Sequence, residues 1–260
     1  MAGISYDSVE ILRHFTERVG IGYPLLSDPE SSVIRAFGIL NTNIPRNHVW
    51  HGIPFPGIYI VDAGGKVRSK YFEANYQDRF TCDAILIREF GIAAGKRVET
   101  QTRHLTLATY LSDDREPRPG SRITLVAEVS LPPKMHIYAP GVKGYRPVSF
   151  SIEETPQFAV HEPVFPRAEI LYLPAIKERV PVYRGKVRFS RDITISARST
   201  KEGPAVKPGT TLQVAGVFEY QACDDKACYP PQEVPVKFEI QVGAHDRNRV
   251  PEPLQRKPPA

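Results

Sequence analysis

The spacing of apolar residues changes once along this chain of 260 residues, and that change limits what the chain can fold into. Up to residue 97 they recur at helical intervals between short strand-like runs, whereas after residue 118 only runs of strand length remain. Val9, Ile11, Leu12, Phe15 and Val19 follow the capping pair Asp7-Ser8 and stop at Gly20, which predicts a helix. Asp28-Pro29 opens a second, with Val33, Ile34 and Phe37 on its apolar face and Gly38 as its close. Phe80, Ile85, Leu86 and Phe90 mark a third, ending near Gly91. Strands are predicted at 3–6 and 23–26, and a hairpin joins 58–61 to 66–72 around Asp62-Ala63-Gly64-Gly65. The order is β-α-β-α-β-β-α.

Residues 98–118 are polar and break the period, so a linker is expected there. Runs at 123–129, 148–152, 187–195, 211–220 and 234–240 then read as strands between turns, the pattern of a β-sandwich of immunoglobulin type over 119–243. The 25 Pro and 18 Gly fit such a turn-rich architecture. Residues 244–260, rich in Pro and Arg, are expected to be a disordered tail.

With 41% hydrophobic residues the chain can bury cores in roughly two domains, which excludes general disorder. Lys and Arg number 34 against 29 Asp and Glu, but the excess forms no basic stripe with interleaved aromatics, so nucleic acid is not an expected partner. No apolar run approaches the roughly 20 residues of a spanning helix, and residues 1–30 lack the blocks of a signal peptide. A soluble chain without an address is the expectation. His48 and His51 have a metal-site spacing without a supporting cluster, and Asp7, Ser8 and His14 lack a nucleophile-elbow pattern. No Gly-rich phosphate loop follows a strand, so neither a metal nor a cofactor is expected.

Chemistry rests on three cysteines. Cys82 stands alone at the start of the third helix, either a half-buried helix residue or a resolving or partner-binding thiol. Cys223 and Cys228 lie five positions apart and can close a small loop. Asp224 and Asp225 between them raise the thiol pKa values and Lys226 lowers them, a balance that favours the disulfide. A static hairpin bridge, a redox-active pair and a metal site all stay open on spacing alone.

Four ordered blocks carry a first resemblance: Gly3-Ile4-Ser5-Tyr6-Asp7-Ser8, Pro24-Leu25-Leu26-Ser27-Asp28-Pro29, Ala36-Phe37-Gly38 and 52–65 with Pro54-Phe55-Pro56-Gly57. They resemble the second half of peroxiredoxins of the alkyl hydroperoxide reductase/thiol-specific antioxidant type. The resemblance implies a thioredoxin-like α/β domain over 1–97, lacking its first strand–helix unit, with Pro56 as a candidate cis proline facing the active cysteine. That family's peroxidatic cysteine precedes the Gly-Ile-Ser block, and Met1-Ala2 abuts this block here. The chain is therefore expected to be the later part of a longer redoxin or a degenerate, non-catalytic one, and inactive as a peroxidase.

Tyr220-Gln221-Ala222-Cys223 and Cys228-Tyr229-Pro230-Pro231 carry the second. They resemble the cysteine loop of the N-terminal domain of DsbD, an immunoglobulin-like sandwich whose cysteine pair exchanges electrons with thiol proteins. Lys134-Met135-His136-Ile137-Tyr138 is similar to the segment beside that loop. By the same resemblance Cys223 and Cys228 form a redox pair, and the loop Val180-Pro181-Val182-Tyr183-Arg184-Gly185 shields them with Tyr183 as the cap. Implied are a thioredoxin-like or other dithiol protein as partner and an oxidising, periplasmic space. The expected function is a thiol–disulfide oxidoreductase in which the sandwich pair relays reducing equivalents. The alternative is a non-catalytic, partner-binding protein with a structural disulfide.

Overall fold

The computed structural model describes residues 1–73, 78–113, 115–173, 177–201 and 203–255, and they divide into two compact units. The first comprises residues 1–76 with 246–260, the second residues 77–245.

In the first unit, β1 (Gly3–Ser5) leads into α1 (Val9–Val19). Ser8 accepts the Ile11 N–H at the start of this helix, and Gly20 takes the left-handed conformation at its end, φ 69°, that a side chain would disfavour. Next come β2 (Leu25–Ser27), parallel to β1, and α2 (Ser32–Ala36). This second helix starts three residues after the expected Pro29. The buried Asp28 carboxylate receives the N–H groups of Ser32 and Ile34, both at 2.9 Å, so the residue that caps the helix stands a turn ahead of it. β3 (Gly57–Val61) and β4 (Val67–Phe72) form the expected hairpin, whose turn is held by Asp62 Oδ1 accepting from Gly64 and Lys66.

The order of elements is as expected, but among the described residues β1–β2 and β3–β4 are separate two-stranded sheets. The Phe55–Pro56 bond, expected cis, is trans, as are all described peptide bonds. Phe55 donates its N–H to Ile39 O at 2.7 Å as the chain enters β3, a path that trans proline fits without cost. Residues 246–255, from the expected tail, include a 3-10 turn at Glu252–Leu254, and Asp246 pairs with Arg18 at 2.6 Å. Residues 256–260 of that tail lie outside the described residues.

The second unit is mostly strand. β5 (Arg79–Phe80) and α3 (Cys82–Phe90) precede β6 (Val98–Gln101), β7 (Thr106–Leu111), β8 (Ser121–Ser130), β9 (His136–Tyr138) and β10 (Ser149–Ile152). β11 (Phe158–Val164), β12 (Glu169–Leu173), β13 (Glu178–Arg184), β14 (Lys186–Ile195), β15 (Thr211–Tyr220), β16 (Ala222–Cys223) and β17 (Gln232–Gln241) complete it. One sheet runs β11-β14-β8-β7-β6, with β5 alongside β8; the others run β10-β15-β17 and β12-β13-β9-β16. The second and third are joined in sequence, since only Gln221 separates β15 from β16. Strict alternation along β15 and β17 turns Leu212, Val214, Phe218, Val236, Phe238 and Ile240 inward, where they meet Leu125, Ala127, Val129, Phe189 and Ile193 of the first sheet.

Two boundaries differ from those expected. Residues 98–118 are no linker, because β6 and β7 lie within them and extend the first sheet. Their polar character reflects β6, exposed at all four residues, and the proline-rich stretch after β7, not a break between domains. α3, expected in the redoxin domain, belongs to the sandwich unit, where Ile87 packs with Tyr110 and Val126 on the outer face of β7 and β8. Val126 is fully buried there. The same face carries Asp192, bonded by Arg88 at 2.6 Å and Arg122 at 2.8 Å, and Glu128, bonded by Lys186, Arg188 and Tyr110.

Candidate functional site

Cys223 and Cys228 form a disulfide with Cα atoms 4.1 Å apart. The two sulfur-bearing residues are not equivalent: Cys223, the last residue of β16, is 1% exposed, whereas Cys228 in the following loop is exposed. The loop is shaped by Asp224, whose Oδ1 accepts from the N–H groups of Lys226 at 2.8 Å and Ala227 at 2.9 Å, and whose Oδ2 accepts from the Tyr229 hydroxyl at 2.7 Å. The Lys226 N–H, the Tyr229 hydroxyl and the Ala227 N–H together hold this carboxyl down to about 2. Asp224 is thus an internal brace of the loop as well as a charge beside the thiols.

The flanking motif residues have structural reasons to be there. Tyr220 is buried in the core with its hydroxyl 2.8 Å from Thr102 Oγ1. Gln221 donates to Tyr229 O at 3.1 Å and accepts the Arg146 N–H at 2.9 Å, so one amide ties both ends of the cysteine loop to a neighbouring segment. Tyr229 stacks on the buried His104 ring at 4.3 Å.

β9 runs beside β16, with Ile137 opposite Ala222 and His136 opposite Cys223. Alternation then decides which side chains meet the disulfide. Ile137, Ala222 and Tyr183 face the sandwich interior, while Cys223 shares the opposite face with Tyr138, Val180 and Val182. The Tyr138 hydroxyl oxygen is 3.2 Å from Cys223 Sγ and 3.3 Å from Cys228 Sγ. A disulfide carries no thiol proton, so the phenol O–H is the donor. Burial, with Tyr145 beside it, pushes the Tyr138 phenol up to about 12 and keeps it protonated. Tyr145 stacks on Tyr138 with ring centroids at 4.3 Å, and it stands in a loop where Gly141 and Gly144 adopt φ of 91° and 79°.

Tyr183 is not the cap. Residues 180–184 are strand β13 and not a loop, and Tyr183 is 4% exposed on the interior face, edge-on to Phe189 at 5.1 Å. Its hydroxyl donates to Pro166 O at 3.0 Å. A period of two puts it on the face opposite Cys223, so it fills the core. The aromatic groups beside the sulfurs come instead from 138 and 145. The signal for Tyr138 lay in the alternation His136-Ile137-Tyr138; Tyr145 gave no signal beyond its flanking glycine.

The other candidates lie elsewhere. Cys82 is exposed at the first turn of α3, where the Thr81 hydroxyl accepts the Ala84 N–H, and it lines a cavity of about 460 Å³ with Asp83, Asp113 and Arg115. His48 accepts the Trp50 N–H through Nδ1 and packs edge-on to the Trp50 ring. Pro56 sits in the first unit, whose residues 1–76 contain no cysteine.

Residues 1–70 match the model of the AhpC/TSA family. Residues 109–240, just over half of the chain, match that of the thiol:disulfide interchange protein DsbD, N-terminal. The chain belongs to the DsbD N-terminal family. The matched DsbD segment runs from β7 into β17 and contains both cysteines of the bridge. No curated protein matches the chain. Among solved structures, the N-terminal periplasmic domain of ScsB from Proteus mirabilis is similar at 10% identity, TM-score 0.38, over 57% of this chain and 52% of that one. The reduced DsbD N-terminal domain of Neisseria meningitidis is similar at 16% identity, TM-score 0.29, over 46% and 78%. The chain thus spans about half the length of the Proteus domain. No described helix is long and apolar enough to cross a membrane.

Proposed function

We propose that Cys223 and Cys228 pass reducing equivalents by thiol–disulfide exchange with a dithiol protein of thioredoxin type. Both family matches and the bridge itself support a thiol–disulfide redox role. The observation that carries the reading is the asymmetry of the pair: one sulfur reachable, the other buried beside a hydroxyl that touches both.

An incoming thiolate attacks the exposed Cys228 Sγ, the Cys223–Cys228 bond breaks, and its electron pair goes to Cys223 Sγ. A thiolate at a 1% exposed position is costly without a donor, and the Tyr138 O–H is already within hydrogen-bonding distance of that sulfur. The partner's second thiolate then attacks the mixed disulfide and releases Cys228. Two electrons and two protons have passed from the partner to the pair, and the reverse sequence reduces a partner disulfide. Residues 1–76 hold no thiol, and the partner proposed is a dithiol protein of thioredoxin type. The sandwich is read as immunoglobulin-like, residues 1–70 as redoxin-derived, and an extracytoplasmic space as the setting in which the bridge persists.

The test combines a redox titration with trapping by a thioredoxin that lacks its resolving cysteine. The expected result is exchange at a potential above about −300 mV, the upper range of structural disulfides, with Cys223→Ser forming the mixed disulfide through Cys228 as it displaces nitrothiobenzoate from the thioredoxin thiol activated with Ellman's reagent. A bond that resists reduction well below that value, with no mixed disulfide formed, leaves the bridge a structural one.

A further inference from the structure

His136 is 3% exposed, and its Nε2 is buried with no hydrogen-bonding partner among the described residues. Buried polar atoms are seldom left unbonded, and each that is requires a reason. The neighbour that gives one is Cys223, paired in register with His136 across β9 and β16. Paired positions on adjacent antiparallel strands hold their Cβ atoms about 4.5–5.5 Å apart, and alternation puts both side chains on the face away from the sandwich interior, with Tyr138. In the disulfide, Cys223 Sγ has no proton to offer. On reduction it becomes an S–H donor on the residue paired with His136, whose ring nitrogen lacks a partner among the described residues.

We propose that His136 is the proton acceptor for Cys223, taking the thiol proton when this sulfur attacks and returning it when the sulfur leaves as a thiolate. The assignment rests on the exchange proposed above. Facing the ring are Arg184 from β13, Asp224 and Asp225 from the cysteine loop, Tyr138 from its own strand and Cys223 itself. Burial, reinforced by Arg184 and opposed by Asp225 and Asp224, holds the imidazole below its ordinary value. At neutral pH it is the free base, which is the state a proton acceptor needs.

In the direction that oxidises the pair, Cys228 is held as a mixed disulfide. The Cys223 proton passes to His136 Nε2, the thiolate attacks Cys228 Sγ, and the bond from Cys228 to the outer sulfur breaks. That sulfur leaves with the electron pair as a thiolate, the Cys223–Cys228 bridge forms, and the imidazolium releases its proton to solvent.

This step can be isolated in the full chain carrying Cys82→Ser. The reduced protein is treated with Ellman's reagent, which loads a nitrothiobenzoate group on exposed Cys228, and release of that group by Cys223 is followed at the nitrothiobenzoate absorbance. With His136 present, the release rate is expected to be nearly flat from pH 7 to 8.5. In His136→Gln it falls about a hundredfold at pH 7, the low end for loss of a positioned proton acceptor, and climbs with pH as the thiol ionises unaided. His136→Ala gives the same reading should the glutamine variant fail to fold. A variant with the parent's rate and pH profile, whatever its melting temperature, overturns the proposal and leaves His136 a structural place. If the parent itself releases no second nitrothiobenzoate and its bridge resists dithiothreitol, the exchange reading fails and this assignment falls with it.

Discussion

The Tyr138 hydroxyl touches both sulfurs of the bridge, and its phenol, pushed up to about 12, stays a donor at any working pH. Removing the oxygen while keeping the ring isolates that contact. Tyr138→Phe is expected to slow reduction of the bridge by a dithiol about tenfold, the kinetic equivalent of one hydrogen bond of about 1–1.5 kcal/mol, with the stack on Tyr145 kept. Stopped-flow reduction by dithiothreitol measures it; an unchanged rate removes Tyr138 from the exchange step. Titration gives a second residue-level expectation. His136 and His104 are both held below their ordinary value, first by burial. Groups whose folded pKa is depressed leave the native state with fewer protons than the unfolded chain, so stability is full above about pH 6.5 and declines as pH falls below it. Asp224 acts lower down: its contribution is complete above the unfolded carboxyl value of about 3.8 and is lost as pH falls toward about 2. Urea melts between pH 7 and pH 5 should show the histidine loss, reduced in His136→Gln.

At the scale of elements, the ring stacked on Tyr138 comes from the loop between β9 and β10 and not from β13. Tyr145 covers one face of Tyr138 from a segment whose two glycines adopt a left-handed conformation at no steric cost. Tyr145→Ala is therefore expected to speed both reduction of the bridge and alkylation of the reduced thiols several-fold, read by mass spectrometry after timed iodoacetamide quenching. Tyr183→Ala should behave in the opposite way. It empties a core position against Phe189 and leaves Pro166 O without its donor, a loss of about 3–5 kcal/mol typical of a large aromatic truncation, with labelling of the folded protein unchanged. Faster labelling of native Tyr183→Ala would return the cap to β13.

For the whole molecule, the boundary of the sandwich lies ahead of α3. A fragment of residues 78–245 keeps the helix over Val126 and Tyr110 and keeps β6 and β7 in the first sheet. A fragment of residues 119–243 loses all three elements and exposes one edge and one face of β8. The longer fragment is expected to melt cooperatively and the shorter to be unfolded or aggregated. Two equally sharp melts would restore the boundary at 119. Residues 1–76 hold no cysteine, and Cys82, a free thiol, sits at the first turn of a helix of the other unit. Thiol-dependent turnover of hydrogen peroxide by the chain is expected to be negligible, and robust turnover abolished by Cys82→Ser would contradict that.

What the sequence determined by itself is local. Capping pairs, turn glycines and the spacing of apolar residues gave α1, the β3–β4 hairpin, α3 and the long strands of the sandwich, because each depends on contacts within a few residues. The bridge between Cys223 and Cys228 was legible for the same reason, as five positions can close on themselves. What only tertiary structure decided is which face and which neighbour each element meets. Residues 98–111 read as polar linker because β6 is exposed at all four residues and the apolar residues of β7 are interrupted by threonine, and only the pairing of β6 with β7 and of β7 with β8 makes them sheet. The position of Tyr183 turned on one step of alternation, which flips a side chain from the sulfur face to the core. His136 came to Cys223 through the register of two strands more than eighty residues apart in the chain, a relation no local pattern encodes.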